Sequence, residues 1–327
     1  MSHGRHPPAA PATEAIDYAP GMLSRRRFLA GTAAGAGLWI ACSVRRTATL
    51  REVERVVEAQ PSRDGAGVAL RRALGGRALP MLDPFLLLDE IHSADPADYE
   101  AGFPEHPHRG FETVSYVLRG GFAHADNVGN HGLIADGGAQ WMTAGHGILH
   151  SEMPRPTATT DLWGLQLWVN LPAARKLIRP RYQDLGAAAI PTADAGDAQV
   201  RVVAGRAAGV RGPVDGIDVA PTMLDATVPA RGQLVHELPG GDAAFVYVLD
   251  GALAIGARAT TVAAGQLAVL TAGSEVRLAS ASGGRALLLA AAPIGEPVAR
   301  RGPFVMNTDA ELRQAFADYR SGALTRL

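Results

Sequence analysis

The sequence predicts an all-β chain: two barrels of similar topology in tandem, followed by one short C-terminal helix. Three observations predict it. From residue 50 on, short apolar stretches are broken by Gly, Pro and Asp: Val68–Ala73, Phe85–Leu88, Thr113–Leu118, Gly164–Val169, Ala243–Leu249, Gln266–Leu270 and Ala286–Ala291. Short strands with frequent turn signals mark a sandwich or barrel, and 38 glycines and 22 prolines supply the turns. The third observation is an internal repeat. Ser115-Tyr116-Val117-Leu118-Arg119-Gly120 matches Val246-Tyr247-Val248-Leu249-Asp250-Gly251 at an offset of 131, and Thr143-Ala144-Gly145 matches Thr271-Ala272-Gly273 at 128. Each copy reads as a strand, a glycine turn, and a second strand about 25 residues later.

Composition bounds the function. A chain of 327 residues with 47 % hydrophobic and 19 % charged residues can bury a sizeable core and is not a disordered polyion. A formal charge of −1 leaves no basic excess for binding nucleic acid by charge alone. One cysteine, Cys42, excludes a disulfide framework and a thiolate-rich metal site.

In chain order, residues 1–48 read as a signal and linker, 49–185 as the first barrel and 186–327 as the second. Residues 1–23 are polar and rich in Pro and Ala, without periodicity. Ser24-Arg25-Arg26-Arg27-Phe28-Leu29, followed by a Gly- and Ala-rich apolar run to Cys42, resembles a twin-arginine export signal. That run is too short for a comfortable transmembrane span. The competing reading is an amphipathic N-terminus that happens to carry three arginines. Export would place the protein in the periplasm or cell envelope; without it the protein is cytoplasmic. Ile40-Ala41-Cys42 looks like the end of a lipoprotein box, although Trp39 stands where Leu is usual. Cys42 is therefore a candidate for a lipid, the one expected tie to a membrane, or else a structural cysteine. At the other end, Asn307-Thr308 offers a helix cap. Glu311 stands at capping-box spacing, and Leu312, Ala315, Phe316 and Tyr319 give a helical stripe.

Six of the ten histidines fall between residues 106 and 150. His106-Pro-His108 and His150-Ser-Glu152 each have i, i+2 spacing, which on a strand puts both side chains on one face, about 7 Å apart. Two such pairs on neighbouring strands would aim three imidazoles and one carboxylate into one space. That is a metal site of His106, His108, His150 and Glu152, suited to Fe, Mn, Ni, Cu or Zn. The second copy lacks the set. Offset 131 carries His106 and His108 onto Glu237 and Pro239, and offset 128 carries His150 and Glu152 onto Leu278 and Ser280. His236 reads as out of register by one, so the second barrel is expected to be metal-free. Glu112 keeps the parity of the first pair and is expected as a second-layer partner of the site or a salt-bridge residue, rather than a ligand. His124, Asp126, His131 and His146 are expected at rims and turns, and Trp141 and Met142 in the core.

Phe103-Pro-Glu-His-Pro-His-Arg-Gly-Phe-Glu-Thr-Val, Gln140-Trp-Met-Thr-Ala-Gly-His-Gly-Ile-Leu-His-Ser-Glu-Met-Pro and Leu165-Gln-Leu-Trp-Val-Asn-Leu-Pro resemble the pirin family of the cupin superfamily. Leu82-Asp-Pro-Phe-Leu-Leu-Leu-Asp-Glu and Gly302-Pro-Phe-Val-Met-Asn-Thr agree, and the similarity covers about residues 60–322. Asp136-Gly137-Gly138-Ala139 departs from the usual Pro-Gly-Asp turn, and an export signal is unusual for the family. The resemblance implies a bicupin of tandem double-stranded β-helices. It implies one Fe(II) in the first barrel, held by residues matching His106, His108, His150 and Glu152. It further implies, for some members, quercetin 2,3-dioxygenase activity on a flavonol, with Glu152 as general base, ring opening and loss of CO. Other members resemble non-catalytic, redox-sensitive partners of transcription factors, which is the alternative function. A third reading is a cell-envelope binder of small molecules. The chain is expected to act as a monomer.

Overall fold

The structure is a computed structural model that describes residues 48–155 and 160–326. The basic and apolar segment 24–42, with Cys42, lies outside the described residues. Among the described residues no helix is long and apolar enough to cross a membrane.

Every stretch expected as a strand is one. The first barrel pairs a seven-stranded sheet with a four-stranded one. The seven-stranded sheet centres on Phe111–Arg119, Leu162–Asn170 and Phe85–Ser93. The four-stranded sheet runs Phe103–His108, Ile148–Pro154, Gly121–Asp126, His131–Ala135. The second barrel is one ten-stranded sheet around Ala243–Ile255, Gly284–Ala291 and Thr222–Val228. Its interior is hydrocarbon: Val246, Leu253, Ile255, Leu234, Leu278 and Leu288 are each fully buried.

The chain ends do not stay with their own barrels. Val53–Glu58, expected within the first barrel by its place in 49–185, instead pairs antiparallel with Gln266–Leu270 of the second. Arg51 is fully buried there and donates to the carbonyls of Gly273 at 2.7 Å, Asp242 at 2.8 Å and Pro239 at 2.7 Å. The last strands, Ala299–Arg301 and Phe304–Met306, return to the first barrel, where Phe304 bridges Arg109. The helix Asp309–Ser321 follows, with the expected capping box between Thr308 and Glu311, and buries Leu312 and Ala315.

One core cluster spans both barrels, with Phe85 edge-on to Phe245 at 5.2 Å. The tyrosines of the repeat face each other's barrel there. Tyr116 donates to Asp225 of the second barrel at 2.6 Å, and Tyr247 donates to Glu90 of the first at 2.6 Å. Both carboxylates are buried. The repeated tyrosine is therefore an interface residue used twice, each hydroxyl satisfying a carboxylate that burial alone would leave costly.

Candidate metal centre

Phe103–His108 and Ile148–Pro154 run antiparallel, with His106 opposite His150 and His108 opposite Ile148. This register and the two-residue repeat of a strand turn all three rings into the barrel. Their nitrogens lie within 4.8 Å of one another. The carbonyl of Pro104 is 2.8 Å from Nδ1 of His106, and that of Pro303 is 3.4 Å from Nδ1 of His108. With Nδ1 of each ring as the donor, the two Nε2 atoms face each other as acceptors, 3.0 Å apart. Lone pairs that close repel unless a proton or cation lies between them. Neither ring nitrogen of His150 has a partner, although the residue is buried. Burial, reinforced by the neighbouring rings, pushes His108 well below the usual histidine range. His150 is lowered to about 4, chiefly by burial. Three converging imidazoles, two of them kept neutral by burial, with one buried pair of unpartnered nitrogens, are a donor set that fits a transition-metal ion.

Glu152 follows on the same strand face, opposite Phe103 on one side and His124 on the other. It is buried, next to a small void lined by Ile91, Phe103, Phe122 and Leu165. Burial works to raise its carboxyl; His150 and hydrogen bonds from Ser115 and Gln166 outweigh it and hold the group below the usual carboxylate value. Ser115 Oγ donates to one oxygen, and Gln166 Nε2 donates to the other at 2.8 Å. Glu152, the fourth ligand expected from the sequence, is not part of the group whose ligand atoms lie within 4.8 Å of one another; its two oxygens are held by Ser115 and Gln166.

Glu112 does not reach the site. The turn at Arg109-Gly110 ends one strand and begins the next, so parity counted from His106 does not carry over. Gly110 has a φ of 88°, and a Cβ there would stand 2.0 Å from the Val305 carbonyl. Beyond the turn it is Ser115 that faces Glu152, while Glu112 accepts from Thr143 Oγ1 at 2.6 Å and burial raises its carboxyl. His236 also needs correcting. It pairs with Val276 as His108 pairs with Ile148, and Leu278 pairs with Leu234 as His150 pairs with His106. His236 is therefore the counterpart of His108, not a residue out of register. The connection after it is three residues longer than in the first copy, so no single offset fits both sides of that loop. Its neighbours are Leu234 and Leu278, so it has no fellow ligands.

The remaining polar residues fall into structural roles. Asp126 accepts from the amides of Val128 and Asn130 at 2.9 and 2.8 Å, and exposed His131 contacts the Gly129 carbonyl. The carbonyl of His146 accepts from Arg109. His124 stacks on Tyr182 with centroids 5.7 Å apart. Trp141 and Met142 are core.

A cavity of about 1250 Å³ opens beside His106 and His108. Leu86, Leu87, Phe103 and Trp168 give it apolar walls, and Asp64, Arg72 and Asp89 give it a polar rim. Arg72 donates to both oxygens of Asp89, at 2.8 and 2.6 Å. Trp168 stands edge-on to His108 at 5.2 Å, with the Arg300 guanidinium 4.8 Å over its ring. Ser115, Gln166, Trp168 and Arg300 were not singled out from sequence. A signal for two of them exists in the repeat: Ser115 and Gln166 pair across their strands as Val246 and Leu288 do in the second barrel. A polar pair where the sister copy is apolar points to a site.

Known proteins agree with this geometry. The pirin family model matches residues 67–169, and the model of the pirin C-terminal cupin domain matches residues 223–325. The chain belongs to the pirin family. Among pirin relatives, a Pseudomonas aeruginosa protein named provisionally as a quercetin 2,3-dioxygenase is 45 % identical over 280 residues, covering 84 % of this chain and 98 % of that one. Pirin of Rattus norvegicus is 40 % identical, covering 84 % of this chain and 94 % of its own. A crystal structure titled quercetin 2,3-dioxygenase, from Acinetobacter baumannii, superposes with a TM-score of 0.77 at 31 % identity, covering 84 % and 98 % of the two chains. The fold is therefore a bicupin, and this pirin carries a three-histidine cluster of metal-binding type in its first cupin barrel.

Proposed function

We propose that this pirin holds one iron(II) ion on His106, His108, His150 and Glu152 and opens a flavonol such as quercetin with O₂, both oxygen atoms entering the product and CO leaving. The observation that carries the reading is the convergence of three imidazoles, two of which, His106 and His108, line a cavity with aromatic and aliphatic walls. Bound there, the ion would draw adjacent hydroxyl and carbonyl oxygens of the substrate to the site and make O₂ reactive toward an electron-rich ring.

The protein's own groups would do the rest. Trp168, Phe103, Leu86 and Leu87 receive a flat aromatic body and exclude water, while the Asp64, Arg72 and Asp89 rim meets its hydroxyls. A carboxylate has about four acceptor positions. Ser115 and Gln166 occupy two on Glu152, leaving others for the ion and for the proton of a substrate hydroxyl. Held ionised, with its donor Gln166 lining the cavity, Glu152 suits a general base. The relatives named as quercetin dioxygenases support the substrate class.

Anaerobic metal analysis followed by O₂ uptake on a panel of flavonols tests the proposal. Close to one iron per chain and flavonol-dependent O₂ consumption are expected, and His106→Ala or His150→Ala should bring metal to background. Glu152→Gln should keep part of the metal and lose about 10²–10⁴-fold in rate. Iron bound without O₂ uptake on any flavonol would refute catalysis and favour a regulatory metal protein. The same reading keeps the twin-arginine segment as an export signal. Arg25→Lys with Arg26→Lys should then block an export-dependent reporter, and reporter activity that persists would refute it.

A further inference from the structure

The C-terminal segment of this chain, which sequence order assigns to the second barrel, forms part of the metal centre of the first. Val298, Arg300, Gly302 and Pro303 line the cavity. The Pro303 carbonyl meets Nδ1 of His108, and Arg300, which also donates to the Leu86 carbonyl at 2.7 Å, lies over Trp168, itself against His108. Two anchors hold this strap in place. Arg109, next to His108 in sequence, donates to Asp318 at 2.6 Å and to the Leu324 carbonyl at 3.2 Å, and its own carbonyl accepts from Val305. The second anchor is Lys176, the sole lysine, fully buried and donating to the carbonyls of Gly110 at 2.8 Å and Val305 at 3.1 Å and to Asn170 at 2.7 Å.

We infer that the strap Val298–Met306 is a positioning element of the metal centre. Through the Pro303 carbonyl it fixes the tautomer and ring orientation of His108, and the Arg109–Asp318 pair sets where that carbonyl sits. An imidazole that donates its far N–H to a fixed acceptor presents its other nitrogen to a metal in one orientation, and such outer partners tune affinity by about 10–100-fold. His106 has its own carbonyl from Pro104, two residues away on the same strand. His108 depends on one 195 residues distant. Asp318 is the positioning residue that can be changed without touching a ligand.

The inference rests on the metal reading above, and the test separates the two. Full-length wild type, Asp318→Ala and Asp318→Glu are stripped of metal and titrated with Co(II), following affinity and the visible absorption of the bound ion. Leu234→Ala in the second barrel serves as a control for lost stability. Wild type that binds no Co(II) refutes the metal reading itself. If the strap positions His108, Asp318→Ala weakens Co(II) binding about 10-fold or more and shifts its spectrum. Asp318→Glu recovers both, and Leu234→Ala changes neither despite a lower melting temperature. Wild-type affinity and spectrum in Asp318→Ala overturn the inference. Should Asp318→Ala not fold, Zn(II)-loaded wild type decides by NMR. The Nδ1 proton of His108, bonded to Pro303, should exchange with solvent more slowly than that of His150, which has no partner. Equal or faster exchange at His108 overturns the inference.

Discussion

The two barrels share a topology and a register but not an interior. Where the first places Ser115 opposite Gln166, the second places Val246 opposite Leu288. Where the first sets His106 against His150, the second sets Leu234 against Leu278. A barrel of this size can be filled with side chains or left to surround a polar centre. Hydrocarbon in the second supplies the stability that buried imidazoles and a carboxylate do not. The contrast separates roles: a change in the second barrel should act on stability alone, and one in the first on metal.

The strongest way to break that contrast is to give the first barrel the second barrel's pair. Ser115→Val with Gln166→Leu removes both donors from Glu152 while leaving it buried, and a loss of about 10–100-fold in metal affinity is expected by chelator competition. Unchanged affinity would show that the two donors are incidental. Next is Leu278→Ala, which opens a void in the filled barrel. It should cost about 2–5 kcal/mol in urea unfolding and leave metal stoichiometry as in wild type; lost metal would show that the barrels are not separable in this sense.

The interface tyrosines sharpen the comparison further. Tyr247→Phe leaves Glu90 with the Trp163 indole at 2.8 Å, a neutral donor. Tyr116→Phe leaves Asp225 with two guanidinium nitrogens of Arg285, Nε and Nη2, at 2.8 and 2.6 Å. Each should cost about 1–3 kcal/mol, with the larger loss at Tyr247; the reverse order would mean that the ion pair does not compensate. The smallest effect belongs to His236. Burial lowers it from the ordinary 6.5, so the folded chain binds its proton less readily than the unfolded chain. Its neutral form is compatible with full stability above about pH 6.5, and stability declines as pH falls from there to the lowered value. His236→Leu should flatten that part of the stability curve and leave metal content unchanged. An unaltered pH slope would contradict the burial.

Much of this was legible in the sequence because it is local. Alternation placed the histidine pairs on one face, and Thr308 with Glu311 announced the helix. What was not legible is set by geometry between distant segments. A left-handed glycine at 110 resets the strand parity on which the reading of Glu112 depended. A longer loop after His236 hides its correspondence with His108. The Pro303 carbonyl and Arg300 reach the site through a chain return that no spacing encodes, and backbone carbonyls carry no signature in a sequence.

The exchange of chain ends bears on the order of events during synthesis. The strand Val53–Glu58 is made before the rest of both barrels but must wait for Gln266–Leu270 before it can pair. The first barrel cannot wall its cavity until residues 298–303 have been made. Contacts this far apart in sequence slow folding, since a long loop must close before any of them form. A chain interrupted between the barrels would yield two fragments, one lacking a wall and the other lacking an edge strand. The cavity beside His106 and His108 therefore takes its finished form only once residues from beyond the second barrel's strands have returned to the first.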